Sequence, residues 1–306
     1  MYLDIAVITV APIGLAIGKK AKYNKAAVLL AMIGGGKAGN IISPNPNTIA
    51  VSEAFKVDLT SMMMKNIIPA IVAVIVTVIL AYLLSKRKGS EITAADLEQQ
   101  NEKKLPSFIA AISGPVIVVI LLALRPICNI AVDPLIALPI GGLVCALATG
   151  QIVNFREYAE FGLSKVIGVS VLLIGTGTIA GIIKASSMQI DVINLLEAFN
   201  MPAFVLAPIA GILMAGATAS TTAGSTIASQ TFSATLVNAG IPALSAGAMI
   251  HTGSTVIDSL PHGSFFHATG GAANISIKER LKLIPYEACI GLSSTAAAVI
   301  LYLVGL

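Results

Sequence analysis

Five runs of roughly 20 predominantly apolar residues dictate how this chain can fold: Asn66–Leu84, Pro106–Leu124, Pro134–Gly150, Val166–Lys184 and Leu283–Gly305. A helix needs about 20 such residues to cross the hydrocarbon core of a bilayer. Only 11% of the residues are charged, against about a quarter in soluble domains. A soluble protein so composed would expose large apolar patches. Lipid is the simplest solvent, and the expected fold class is an all-α integral membrane protein, because helices satisfy their own backbone groups there.

Three further apolar stretches, 26–55, 202–238 and 241–271, are rich in Gly, Ser, Thr, Asn and Pro. They are too long or too polar for plain spans. Basic residues cluster at Lys19–Lys25, at Lys86–Lys88 with Lys103 and Lys104, at Arg156 with Lys165, and at Lys278–Lys282. The positive-inside rule makes all four loops cytoplasmic. Residues 26–55 must then cross once, and 66–84 return. A re-entrant hairpin over 202–238, entered from outside, leaves 241–271 to make the last crossing inward. The net charge of +4 reads as these loops and not as a nucleic-acid footprint. Cys128, Cys145 and Cys289 lie in apolar sequence without metal-ligand spacing, so no cofactor or metal is expected. The opening run has no basic region ahead of it and does not read as a signal peptide.

Sliding the sequence by 216 positions places GNIISPNPNTIAV on TVIDSLPHGSFFH, so that Ser43 meets Ser259 and Thr48 meets Ser264. Each half then holds a polar, proline-broken crossing followed by a plain span, starting from opposite sides. Inverted repeats with broken helices at equivalent places point to the binding site of a secondary transporter. The domain expectation is a first repeat over 1–89, a solvated cytoplasmic linker over 90–105 and a second repeat over 106–306. On this alignment the first repeat lacks its opening helices and one hairpin limb, and the chain reads as the C-terminal part of a longer protein.

The segment MIHTGSTVIDSLPHGSFFHATGG carries the three histidines, His251, His262 and His267. It also carries Asp258, the only formally charged residue between Glu197 and Lys278. A lone ionised carboxylate at membrane depth costs roughly 2.5–3.5 kcal/mol or more and is a functional group by default. Pro261 helps open the helix. Asp258 and a histidine are the expected proton carriers, and a polar helix break satisfied internally is the plain alternative. In GATASTTAGSTIASQTFSAT, hydroxyls and glycines recur without charge. Thr221, Thr222, Ser225 and Thr226 at the hairpin turn could present donors to an anion at a half-helix N-terminus, or simply pack helices closely. In GGGKAGNIISPNPNT, Ser43, Asn45, Asn47 and Thr48 offer neutral donors and acceptors. The spacing is wrong for a phosphate loop, and Lys37 is expected to snorkel to the inner surface. The charged residues of DVINLLEAF, Asp191 and Glu197, read as solvated.

Together HTGSTVIDSLPHGSFFHATGG, TASTTAGSTIASQTF, GTGTIAGIIKAS and GKAGNIISPNPNTIAVSEAF resemble the gluconate:proton symporter (GntP-type) permease family of the ion-transporter superfamily. The resemblance implies a multi-pass carrier of the bacterial inner membrane, with two inverted repeats, taking up a small organic anion such as gluconate with a proton. Sodium stays open as the coupling ion, and a homo-oligomer is compatible with the sequence. By similarity, Ser43, Asn45, Asn47, Thr48, Thr221, Ser225, Asp258, Ser259 and His262 would line the site. Ser264 and Thr226 join them from the repeat and the hairpin. A membrane enzyme using Asp258 and His262, a channel, and a non-transporting fragment are the alternatives.

Overall fold

The computed structural model describes residues 3–87, 89–93, 96–97, 106–128, 130, 132–187, 190–191, 194, 198 and 201–306. Among these the chain is helical, with no strand. Its contacts divide it into two compact units, residues 1–98 with 173–306, and residues 99–172. Glu197 and most of the linker 90–105 lie outside the described residues.

The second unit contains α6 (Phe108–Cys128) and α7 (Pro134–Ala148). They pack through facing glycines: a Cβ on Gly114 would lie 2.7 Å from the Gly141 carbonyl oxygen. Small residues of this kind let membrane helices approach closely. Val118, Leu122 and Ala137 fill the contact. Helix α8 (Phe155–Ala185) begins eleven residues before the expected span at Val166. Arg156 therefore stands on a helix, exposed and paired with Glu160 one turn on, and not in a loop.

The first unit begins with α1 (Leu3–Lys20), α2 (Lys25–Ile42), α3 (Pro46–Phe55), α4 (Leu59–Lys65) and α5 (Ile67–Ser85). It resumes within α8, at Leu173, and continues with α9 (Leu206–Thr218), α10 (Thr221–Asn238), α11 (Ala243–Gly253), α12 (Ser264–Ala272), α13 (Ile277–Leu281) and α14 (Ile284–Leu303). By length and apolar composition, 25–55, 67–85 and 277–303 can each cross a membrane, the first despite its break. Helix α5 follows the expected span 66–84 to within one residue at each end. In α2 the buried residues Leu30, Ile33, Gly34, Lys37 and Ile41 recur at helical spacing, and this face packs on α5.

Local chemistry explains the breaks. Ser43 and Asn45 each precede a proline, which excludes helical backbone at both. Both are extended, with φ −111° and −117°. Pro46 then occupies the first turn of α3, where its fixed φ suits a helix start, and the Asn45 side chain caps the Asn47 and Thr48 amides. The second break runs from Ser254 to Gly263 and contains Pro261. Helices α9 and α10 form a hairpin whose turn is Ala219–Ser220, with Ala219 left-handed at φ 46° and Ser220 capping the Ala223 amide. The hydroxyls of Thr221, Ser225 and Thr226 thus lie on the first turns of α10, just past the turn itself.

The helix starts repeat. Those of α1, α2, α3 and α4 recur 218 positions later as those of α10, α11, α12 and α13, two positions beyond the 216 of the sequence alignment, so that Pro46 and not Thr48 stands opposite Ser264; α5 and α14 differ by 217. Contacts repeat as well. Helix α3 packs on α10 and α1 on α12, while α5 packs on α14.

At one end of this unit the loops are tied together. The Lys25 ammonium donates to Asp96 Oδ1 at 2.6 Å and to the Asn274 carbonyl at 3.1 Å. Asn274 donates to the same carboxylate at 3.0 Å. Ser90 bonds Glu279, and Arg87 donates to the Tyr286 hydroxyl at 2.8 Å. Ile92 packs on Leu15 and Val28. The described part of the linker is therefore docked, where the sequence reads as solvated. Burial pushes the Asp96 carboxyl up, but Lys25, Thr93 and Asn274 outweigh it and hold the carboxyl well below the usual carboxylate range. The α1–α2 and α12–α13 loops and the end of α5 thus share one end of the unit. Arg280 does not join the exposed basic loop. It is 1% exposed and ion-paired with Glu287, with Nε donating to Thr269 Oγ1 at 3.2 Å.

Candidate functional site

Asp258 lies in the second break and is 1% exposed. A buried carboxylate needs a partner or full hydrogen bonding, and three segments supply them. Lys37 of α2 forms an ion pair with Oδ1 and also donates to the Thr255 carbonyl. Ser259 donates to Oδ1 at 3.0 Å. Thr221, at the head of α10, donates to Oδ2 at 2.5 Å. One carboxylate therefore gathers the first broken crossing, the hairpin and the second broken crossing.

Lys37 corrects the sequence expectation. Its side chain is 1% exposed, so it does not snorkel. It faces inward because Ile33, Gly34 and Ile41, one turn away on either side, form the buried face of α2. In the sequence, a lysine after three glycines near a span end gives no hint of an aspartate 221 positions on.

The expected contact between Asp258 and a histidine does not form among the described hydrogen bonds. His262 and His267 are exposed, and their Nε2 atoms meet the Ala217 carbonyl at 3.3 Å and the Pro261 carbonyl at 2.7 Å. His251 of α11 is fully buried, and neither ring nitrogen has a hydrogen-bond partner. Ser264 is exposed on the first turn of α12.

In the first break, Asn45 spends its groups on structure, donating to the Asn40 carbonyl at 2.5 Å while capping α3. Thr48 donates to the Ser43 carbonyl at 2.8 Å, and the Ser43 hydroxyl accepts from Asn45 at 2.9 Å. Asn47 is different. It donates to Asn40 Oδ1 at 2.9 Å, which leaves Asn47 Oδ1 and Asn40 Nδ2 buried without partners. Thr226 Oγ1, on α10, is likewise buried and unspent. Ser225 is fully buried and reaches only the Thr222 carbonyl, at 3.4 Å. Asn40 was not singled out in the sequence, although it stands three residues after Lys37 and so shares its helix face.

Leaving a buried amide group unpaired costs about 1–3 kcal/mol. Two of the unpaired groups stand on the helices that supply Lys37 and Thr221 to Asp258, Asn40 on α2 and Thr226 on α10, and a polar solute can complete their bonds. The hairpin tip closes against the second break: a Cβ on Gly263 would lie 2.4 Å from the Ala219 carbonyl oxygen. Substitution there requires backbone to move.

The model of the GntP family permease matches residues 1–306. An uncharacterized transporter of Haemophilus influenzae (strain ATCC 51907 / DSM 11121 / KW20 / Rd) is 52% identical over 305 residues, which is 99% of this chain and 72% of that protein. No solved structure matches. Match, relative and helical breaks agree that this is a membrane transporter, and the chain belongs to the GntP permease family.

Proposed function

We propose that this permease carries a small hydroxylated carboxylate, gluconate or a related sugar acid, across the bacterial inner membrane together with a proton. The observation that carries this reading is the buried Asp258, held by Lys37, Thr221 and Ser259 from three separate segments. The solute sits between the two breaks and the hairpin, with its hydroxyls on Asn40, Asn47 and Thr226, whose polar atoms are otherwise unspent. Ser43, Asn45 and Thr48 hold the broken backbone open around it, and Ser225 stands next to Thr226 on α10. Asp258 takes the proton, and His251, His262 and His267 are the further titratable groups of the same segment. Alternating access follows from the two repeats, 1–89 and 106–306, moving against each other about the breaks. The recurrence of helix starts and the reciprocal packing of α1 on α12 and α3 on α10 support that repeat.

The test is a counterflow screen in proteoliposomes with labelled gluconate, glycerate, lactate and 3-hydroxybutyrate, with glucose and glutamate as controls. Exchange of at least one hydroxy acid is expected. Exchange of glucose alone, or of nothing, would overturn the carboxylate reading, and exchange of glutamate without any hydroxy acid would overturn the hydroxylated solute.

A further inference from the structure

Three buried cations are present among the described residues: Lys25, Lys37 and Arg280. Lys25 and Arg280 are neutralised by carboxylates outside the breaks, Asp96 and Glu287. Lys37 alone is neutralised at the breaks, and its partner is the carboxylate to which the reading above gives the proton. Its remaining partner is a backbone carbonyl, that of Thr255, which contributes no full charge. An arriving anion would meet a site whose only cation among the described residues is already taken.

We propose that transport works by exchange of anions on Lys37: the solute carboxylate replaces Asp258 as the lysine's counter-ion when Asp258 takes up a proton. This inference rests on the carboxylate reading above. It names the residue that binds the carboxylate and the reason for coupling.

Charge balance carries the argument. The empty site holds one positive and one negative group, so its net charge is zero. Bringing in a carboxylate alone would leave a net negative charge in a low-dielectric interior, where unpaired charge is heavily penalised. Protonating Asp258 alone would leave Lys37 unpaired at the same penalty. Only both events together restore zero, with Lys37 positive, the solute negative and Asp258 neutral. One proton taken from solution onto an Asp258 oxygen accompanies one anion, and no other bond is made or broken. The protonated carboxyl gains a donor, and the Thr221 and Ser259 hydroxyls can still donate to its oxygens. Asn40, three residues beyond Lys37 on the same face of α2, stands one turn away. Its unspent amide donor can engage a hydroxyl of the same solute once the carboxylate is on the lysine.

The experiment compares wild type with Asp258→Asn, Lys37→Gln and the double variant Lys37→Gln/Asp258→Asn, all in proteoliposomes. The probe is whichever of gluconate, glycerate, lactate and 3-hydroxybutyrate wild type exchanges fastest. A monodisperse elution profile in detergent establishes folding, and the double variant leaves no unpaired charge in the site. Wild type should take up one proton per anion. Asp258→Asn should bind the anion with an affinity that no longer varies between pH 5.5 and 8, and should take up no proton with it. Both variants lacking Lys37 should bind at least tenfold more weakly. Wild-type exchange together with unweakened binding by a folded double variant would overturn the exchange on Lys37 and leave carboxylate transport standing. So would proton uptake with each anion by Asp258→Asn. Failure of wild type to exchange any of the four acids would instead remove the reading on which the proposal rests.

Discussion

Gly263 and Ala219 touch where the hairpin turn meets the second break, with 2.4 Å between an added Gly263 Cβ and the Ala219 carbonyl oxygen. Ala219 already holds a left-handed backbone at φ 46°, so neither side can yield without reshaping a turn. Gly263→Ala should lower stability by about 1–3 kcal/mol, as overpacking does, and cut transport more than tenfold. Gly35→Ala is the matched control, because a Cβ there meets nothing within 4 Å. Thermal unfolding in detergent and counterflow rates measure both.

The Arg280–Glu287 pair is sealed, with both side chains 1% exposed. Removing one partner strands a buried charge, which costs about 3–5 kcal/mol. Glu287→Gln should therefore destabilise strongly, while Arg280→Met/Glu287→Leu should lie much closer to wild type. Denaturant unfolding of the purified variants separates the two, and equal destabilisation would show that the pair does not act as a unit.

Asp96 gives a pH signature. Its folded carboxyl is held below the unfolded value of about 3.9. The stability it contributes is therefore present above that value and is lost as pH falls through the folded one. The stability difference between wild type and Asp96→Asn should be constant above about pH 5 and shrink below it. A difference that grows on acidification would contradict the sign.

Much of this fold was legible in the sequence because prolines and apolar length act locally. Pro44 and Pro46 fix the first break, Pro261 marks the second, and the span over 66–84 needs only its own residues to declare itself. The start of α8 was not legible, since Phe155–Lys165 is polar enough to read as a loop. The site was half legible. Asp258 announced itself as a lone carboxylate in apolar sequence, and its need for a partner followed from the cost of burying charge. That the partner is Lys37 depends on how α2 turns against the second break, which no local pattern encodes. Arg280 was hidden the same way. It sits among basic loop residues, and its buried partners Glu287, Thr269 and Phe266 draw it inward.

The shared end formed by the α1–α2 loop, the docked linker and α13 yields a topological prediction. These elements carry Lys19–Lys25, Lys86–Arg87 and Lys278–Lys282, so the positive-inside rule puts them all on the cytoplasmic side. Lys22→Cys, Glu91→Cys and Lys278→Cys, each in a background with Cys128, Cys145 and Cys289 replaced by Ser, should react with a membrane-impermeant maleimide only in inside-out vesicles. Labelling of any one from the outside would break the assignment.

The most direct test is accumulation driven by a pH gradient in proteoliposomes, comparing wild type with Asp258→Asn for the acid that wild type exchanges fastest. Wild type should concentrate the acid against its gradient when the outside is acidified. Asp258→Asn should only equilibrate it, while eluting as a folded, monodisperse species. Undiminished uphill accumulation by Asp258→Asn would contradict the assignment of Asp258 as the proton-carrying group.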